Sequence, residues 1–296
     1  MTAPGSRADR GTHGAGPRAL LLAATLSTLL LACGREQETV QGRNGETESP
    51  PACQVPASIL ASVPDAPPPE APYTVLGRDD VPFEQIPLGI GHLHPAEDAY
   101  LDQPLDPNWP RRVELPLSAT PNAEPFAGIA RGWVARPGTP PQPLTMEGLL
   151  ETGYEEPSFV VLEHRPDGWL RIRYAAGEGD AGTAWVPTCA LRAGAVALDF
   201  TPWAEWLLSG RVSPLFFRAG QGEMHAEPSA GSSRLAEVSG DYILEPQATR
   251  GEWMRVTLKQ PSDFCFPEVV PTRSEGWVRW HSPELGPLVW YFTRGC

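Results

Sequence analysis

The chain has 296 residues and a formal net charge of −13, with 36 acidic against 23 basic side chains. That balance argues against nucleic acid and anionic lipid head groups as main partners, because both are held by clustered Lys and Arg. Its 35 prolines and 29 glycines demand many turns, and its length accommodates more than one small domain.

Residues 1–32 read as a targeting segment. Arg7, Arg10 and Arg18 precede an apolar run, Ala19 to Leu31, of 13 residues, which is short for a membrane-spanning helix. Leu30-Leu31-Ala32-Cys33-Gly34 follows and resembles the lipobox of bacterial lipoproteins. The resemblance implies cleavage before Cys33 and acylation, of the palmitate type, on its thiol and new amino group. Acyl chains contribute about 0.8 kcal/mol per buried methylene. The mature protein is thus expected in the bacterial cell envelope, anchored to a membrane by Cys33 and exposed to the periplasm or the exterior. It would not cross the bilayer.

Residues 33–110 read as a Pro-rich acidic linker, largely disordered. From residue 34 onward this stretch holds 14 prolines and 13 acidic residues against three basic ones, a composition that opposes helix and central strand. Its later part carries Phe83, Ile86, Leu88, Ile90, Leu93, Tyr100 and Leu101, which could pack on a following domain. His92-Leu93-His94 is an HxH pair near Glu97 and Asp98. No third well-spaced ligand accompanies it, so the reading is a polar loop, with no metal and no cofactor.

Residues 111–198 carry the clearest pattern. Leu170, Ile172 and Tyr174 alternate with Trp169, Arg171 and Arg173 behind the turn Pro166-Asp167-Gly168, the period-2 signature of a half-buried strand. Phe159-Val160-Val161-Leu162-Glu163 supplies a hairpin partner, and Ala184-Trp185-Val186 a third strand after a Gly-rich loop. The long stretch Arg131 to Pro157, which holds Trp133, reads as a loop. Residues 199–212 read as a short helical connector: Thr201 caps it, Pro202 takes its first position, Gly210 ends it, and Trp203, Trp206 and Leu207 bury.

Residues 213–296 repeat the pattern. Tyr242-Ile243-Leu244-Glu245 leads to Trp253-Met254-Arg255-Val256-Thr257-Leu258, and Gly276-Trp277-Val278 matches Ala184-Trp185-Val186. Ala119-Thr120-Pro121 and Ala226-Glu227-Pro228 stand earlier in each copy. Four landmarks in the same order point to an internal duplication.

The run from Asp167 to Tyr174 with Gly182 to Leu191 resembles the second half of a bacterial SH3-like barrel, with its "GxWxxV" and "GWVxxxxL" strands. The resemblance covers residues 113–192 well. It covers residues 214–280 less well, since Trp280-His281-Ser282-Pro283 replaces the usual closing turn. The implied fold is all-β: two small SH3-like β-barrels in tandem behind the disordered linker. The resemblance also implies that exposed aromatics bind peptides or peptidoglycan stems. Trp169 and Trp185 with Arg171 and Arg173 in copy one, and Trp253 and Trp277 with Arg255 in copy two, are the candidate ligand-binding residues. Flat rings give contact area at low entropic cost, and Arg can meet a carboxylate. The alternative is that these rings pack the barrel walls.

Acylation of Cys33 leaves Cys53, Cys189, Cys265 and Cys296. An exported protein with four cysteines suggests two disulfides, from three pairings. Cys265–Cys296 is the expected pair within copy two, which leaves Cys53–Cys189; unpaired thiols are the alternative. The sequence contains no Ser-x-x-Lys step, no Gly-x-Ser-x-Gly elbow and no His-Glu-x-x-His. The expectation is a non-catalytic binding module with peptidoglycan or an envelope protein as partner. A purely structural subunit is the alternative, and an accessory part of a cell-wall hydrolase a lesser one.

Overall fold

The computed structural model describes residues 53–69, 85–96, 106–177, 181–212, 214–240, 242–260 and 272–293, all within one contact unit, Ser49–Cys296. The lipobox, Cys33, Cys265 and Cys296 lie outside the described residues, as do Phe83, Tyr100 and Leu101. Helix α1 is Ala57–Leu60. The strands of the first half are β1 Gly91–Pro95, β2 Leu115–Ser118, β3 Pro125–Ala130, β4 Trp133–Arg136, β5 Thr139–Thr145, β6 Leu150–Gly153, β7 Glu156–Arg165, β8 Trp169–Ala176, β9 Gly182–Pro187 and β10 Leu198–Pro202. Helix α2, Trp203–Leu208, leads to β11 Leu215–Phe217, β12 Gln221–His225, β13 Arg234–Ser239, β14 Ile243–Arg250, β15 Trp253–Gln260, β16 Thr272–Arg279, β17 His281–Ser282, β18 Gly286–Pro287 and β19 Val289–Tyr291. The fold is mostly β.

Strands β9, β2, β3, β4, β5 and β8 close into a six-stranded antiparallel barrel, since β8 pairs with both β9 and β5. The alternating residues of β8 explain the closure. Leu170, Ile172 and Tyr174 point inward and are buried with Leu115, Leu117, Ile129 and Val186. The first half of β8 pairs with β7 and only its last residues, Ala175 and Ala176, with β5. From β8 the sheet therefore continues outward through β7 and β1 to β10.

Three expectations change here. The stretch Arg131 to Pro157 is not a loop but supplies β4, β5 and β6. Its prolines did not forbid this. Pro140, Pro141 and Pro143 fall where β5 pairs with β4, while β8 meets β5 only at Leu144 and Thr145, so the prolines occupy single-sided strand. The linker 33–110 is not largely disordered over its described part. Residues 91–95 form β1, set between β7 and β10, and Leu88, Leu93 and Trp109 are almost fully buried. The indole of Trp109 donates to the Pro157 carbonyl at 3.1 Å. Leu88 and Leu93 are among the residues expected to pack on a following domain, whereas average composition hides Trp109 and the strand itself. In the connector, Thr201 and Pro202 end β10 rather than starting the helix. The Thr201 hydroxyl bonds His94 Nε2 at 2.8 Å instead of capping α2, which has no side-chain cap.

Residues 53–68 form a strap on the outside of the barrel. Val55, Ile59 and Val63 pack on Ala130 and Ala135 of β3 and β4. Gly128 permits the approach: a Cβ there would stand 2.5 Å from Val55 Cγ1. The Trp133 indole donates to the Ala66 carbonyl at 2.9 Å, Arg131 meets Asp65 at 3.1 Å, and a disulfide joins Cys53 to Cys189, 136 residues apart.

The second half is an open antiparallel sheet in the order β13-β12-β16-β15-β14-β11-β19, beside a small β17–β18 hairpin. Its core includes Met254, Val256, Leu258, Val278 and Trp290, and it also takes in Trp203, Trp206 and Leu207 of α2. Leu88, Leu150 and Val160 reach the same core from the first half. The two halves thus share apolar surface, and α2 lies at the junction.

Candidate ligand-binding cleft

The two halves repeat one register. Leu170 faces Val186, Arg171 faces Trp185 and Ile172 faces Ala184. Met254 faces Val278, Arg255 faces Trp277 and Val256 faces Gly276. Residues that match in register nevertheless sit in different surroundings. Trp169 is only 2% exposed, with its indole donating to Asn122 Oδ1 at 3.2 Å. Trp253 is partly exposed and lines a cleft of about 750 Å³.

Local chain geometry builds that cleft. β14 and β15 are joined by a two-residue loop, Gly251-Glu252, because Arg250 pairs directly with Trp253. This tight hairpin brings both Glu252 and Trp253 into the lining. Phe217, at the end of β11, lays its ring over Gly222, where a Cβ would come within 2.3 Å of the ring. The Ser282 hydroxyl accepts from the amides of Glu284 and Leu285, at 3.2 and 3.1 Å. That turn brings Leu285 to the wall, with Leu288 beyond it.

Both signs of charge line the cleft. Arg279 reaches Glu252 Oε2 through Nε at 3.0 Å and Nη2 at 2.8 Å. Glu223 accepts from Arg234 at 2.8 Å, and this bond, chiefly, holds its carboxyl below the usual range. Buried His225 donates from Nδ1 to the Ser232 carbonyl at 3.3 Å and turns Nε2 toward Glu223 at 3.4 Å. Its ring meets Trp253 edge-on at 5.2 Å. The Arg218 guanidinium donates to the carbonyls of Pro287 and Ile86, each at 2.8 Å, so it ties the cleft to the segment before β1. The result is an apolar, aromatic floor with a charged rim.

Of the candidate ligand-binding residues, Trp253 alone is among those lining this cleft. Trp185 and Trp277 are partly buried, and the Arg250 guanidinium lies over the Trp277 ring at 5.5 Å. Arg255 is exposed and pairs with Glu275 at 2.8 Å; Arg171 pairs with Glu163. Arg173 points outward from the barrel yet is buried. It donates to the carbonyls of Pro87 at 3.0 Å and Gly148 at 3.2 Å, and burial pulls its pKa down to about 10. Trp169 and Arg173 are therefore covered, contrary to the exposed placement that alternation predicts. Phe217, His225, Arg279, Leu285 and Leu288 carried no sequence signal, because the cleft is assembled from loops distant in the chain.

His92 and His94 do not form a metal site of three or more ligands, and none occurs among the described residues. His92 is fully buried, stacked on Trp203 with ring centroids 4.6 Å apart, and neither of its ring nitrogens has a hydrogen-bond partner. The Cys53–Cys189 bond matches the expected pairing. No described helix is long and apolar enough to cross a membrane.

The chain matches no protein-family model and no curated protein.

Proposed function

We propose that the chain is a non-catalytic lipoprotein of the bacterial envelope, anchored through acylated Cys33, that binds an extended peptide or peptidoglycan stem in the cleft beside Trp253. In this reading the closed barrel and the second sheet are tandem SH3-like modules, and the second is the reader. The observation that carries it is the joining of Phe217, Trp253, Leu285 and Leu288 into one apolar floor, rimmed by Arg279 with Glu252 and by Arg234 with Glu223. An extended chain buries side chains on such a floor, while its own charges exchange with exposed ion pairs that contribute little to the fold. The equivalent surface of the first half is filled by its own Trp169 and Arg173 contacts, which fits a supporting role.

The test is a pull-down of soluble chain starting at residue 34 with isolated cell-wall sacculi, beside a binding screen with envelope proteins. Retention that is lost in Trp253→Ala supports the reading. Equal retention of both proteins places binding outside the cleft, and retention of neither favours a purely structural subunit.

A further inference from the structure

The cleft contains an open strand edge. β12 pairs with β13 along its length, from Gln221 opposite Ser239 to His225 opposite Arg234. On its other edge it meets β16 at two positions, Met224 opposite Val278 and His225 opposite Trp277. The next residue of β16, Arg279, stays with Trp253 of β15, and its guanidinium is held by Glu252. Trp280 then turns away. Its amide donates to the Glu252 carbonyl and its indole to the Gly251 carbonyl, each at 3.0 Å. β12 and β16 therefore part between Glu223 and Arg279. Gln221, Gly222 and Glu223 have no strand partner on that side among the described residues, and all three line the cleft.

A bulge marks the point of divergence. Met224 faces Ala236 and His225 faces Arg234, so Leu235 of β13 is an extra residue there. Bulges bend a strand pair and can end its pairing with a neighbour.

The space beside the open edge is divided as the side chains of a strand are. Successive side chains of an extended chain point to opposite faces. Along β12, Gly222 turns toward the Phe217 ring and Met224 is buried, whereas Gln221 and Glu223 are exposed. An added strand would place alternate side chains on the floor of Phe217, Leu285 and Leu288 and the others beside Trp253, Arg279 and Glu223. The outer edge of β13, the last strand of this sheet, lies outside the cleft. It carries the bulge and exposed Arg234 and Glu237, features that oppose edge-to-edge pairing.

Building on the cleft as the binding site, we infer that its occupant is a segment of a partner protein, an extended L-peptide that adds to the free edge of β12 and carries apolar residues at alternate positions. Main-chain hydrogen bonds to Gln221–Glu223 supply affinity, and the floor and rim read alternate side chains. At about 750 Å³ the cleft takes a short segment. A peptidoglycan stem suits this edge less well. It contains D as well as L centres, and D residues favour the mirror-image backbone angles, so they interrupt an L-strand ladder.

An array of capped L-hexapeptides with apolar residues at alternate positions, screened against soluble chain starting at residue 34, tests this. Array members should bind wild type at least about tenfold better than Trp253→Ala. The best binder is then N-methylated at alternate amides, in two complementary sets. Only alternate amides of an added strand face its partner, so one set should weaken binding at least about tenfold and the other should leave it unchanged. Bound peptide should also slow amide exchange within Gln221–Glu223. No array binding above the Trp253→Ala level, equal effects of the two N-methylated sets, or slowed exchange in β13 alone would overturn strand addition. Trp253-dependent retention on sacculi without array binding would keep the cleft as the site and make the stem its ligand. Loss of every Trp253-dependent interaction would overturn the cleft and strand addition together.

Discussion

Arg255 stands opposite Trp277 across β15 and β16, as Arg171 stands opposite Trp185 across β8 and β9. The shared register makes the two halves comparable residue by residue, and the comparison locates the difference between them. The position of Trp169 is sealed by Asn122, while that of Trp253 opens into the cleft. The proposed ligand binding therefore rests on the second half.

The shared core predicts how the protein unfolds. Leu88, Leu150 and Val160 belong to the first half but are buried in the core of the second. Removing the second half would expose them, and removing the first would take them out of the second core. One cooperative thermal transition is expected rather than two. Leu170→Ala and Met254→Ala should each cost about 2–5 kcal/mol and lower the same transition. Two separable transitions in calorimetry, each moved by only one substitution, would show independent domains.

Acid should weaken that junction. Burial, and then the neighbouring His94, hold His92 well below the ordinary histidine value, whereas a histidine in the unfolded chain titrates near 6.5. The unfolded state therefore binds the extra proton in the window just below that value. The His92 contribution is fully present above about pH 6.5 and is lost as pH falls toward the folded pKa, with a slope of at most about 1.4 kcal/mol per pH unit. His281, also lowered chiefly by burial, adds in the same direction. His92→Phe keeps a ring on Trp203 and removes the titration. Urea midpoints between pH 5 and 7.5 should then show a shallower acid limb than wild type. An unchanged limb would remove His92 from the account.

Period-2 alternation in β8 and β15 is legible in the sequence, and it gives the inward residues and the hairpins of β7 with β8 and β14 with β15. It could not say what covers the outward face. Trp169 and Arg173 alternate correctly yet are buried, because Asn122, Pro87 and Gly148 reach them from elsewhere in the chain. The Pro-rich composition of residues 33–110 concealed β1, whose stability comes from pairing with β7 and β10 rather than from local propensity. Trp253 was found because it repeats Trp169. The rest of the cleft was not, since Phe217, His225 and Leu285 meet only after folding.

The disulfide should matter to stability. It closes a loop of 136 residues, for which chain entropy gives about 5 kcal/mol as an upper figure. Cys53→Ser/Cys189→Ser should lower unfolding free energy by about 3–5 kcal/mol in urea. Mass mapping of the oxidised wild-type protein after digestion is expected to join Cys265 to Cys296. Cys265 found free would refute that second pairing.

Anchoring is read from Cys33. Cys33→Ala should release the protein from membranes or leave it uncleaved, and should abolish fatty-acid incorporation. Identical fractionation of variant and wild type, with neither labelled, would contradict the lipoprotein reading.

The account turns on the cleft beside Trp253. The most direct measurement is retention on isolated sacculi, and on immobilised envelope peptides, of wild type, Trp253→Ala and Leu235→Ala, the last an exposed residue outside the cleft. The account predicts that Trp253→Ala loses at least tenfold in affinity, about 1.4 kcal/mol, while Leu235→Ala binds as wild type and all three melt alike. Binding that survives Trp253→Ala unchanged, or no binding by wild type to any of these surfaces, would contradict it.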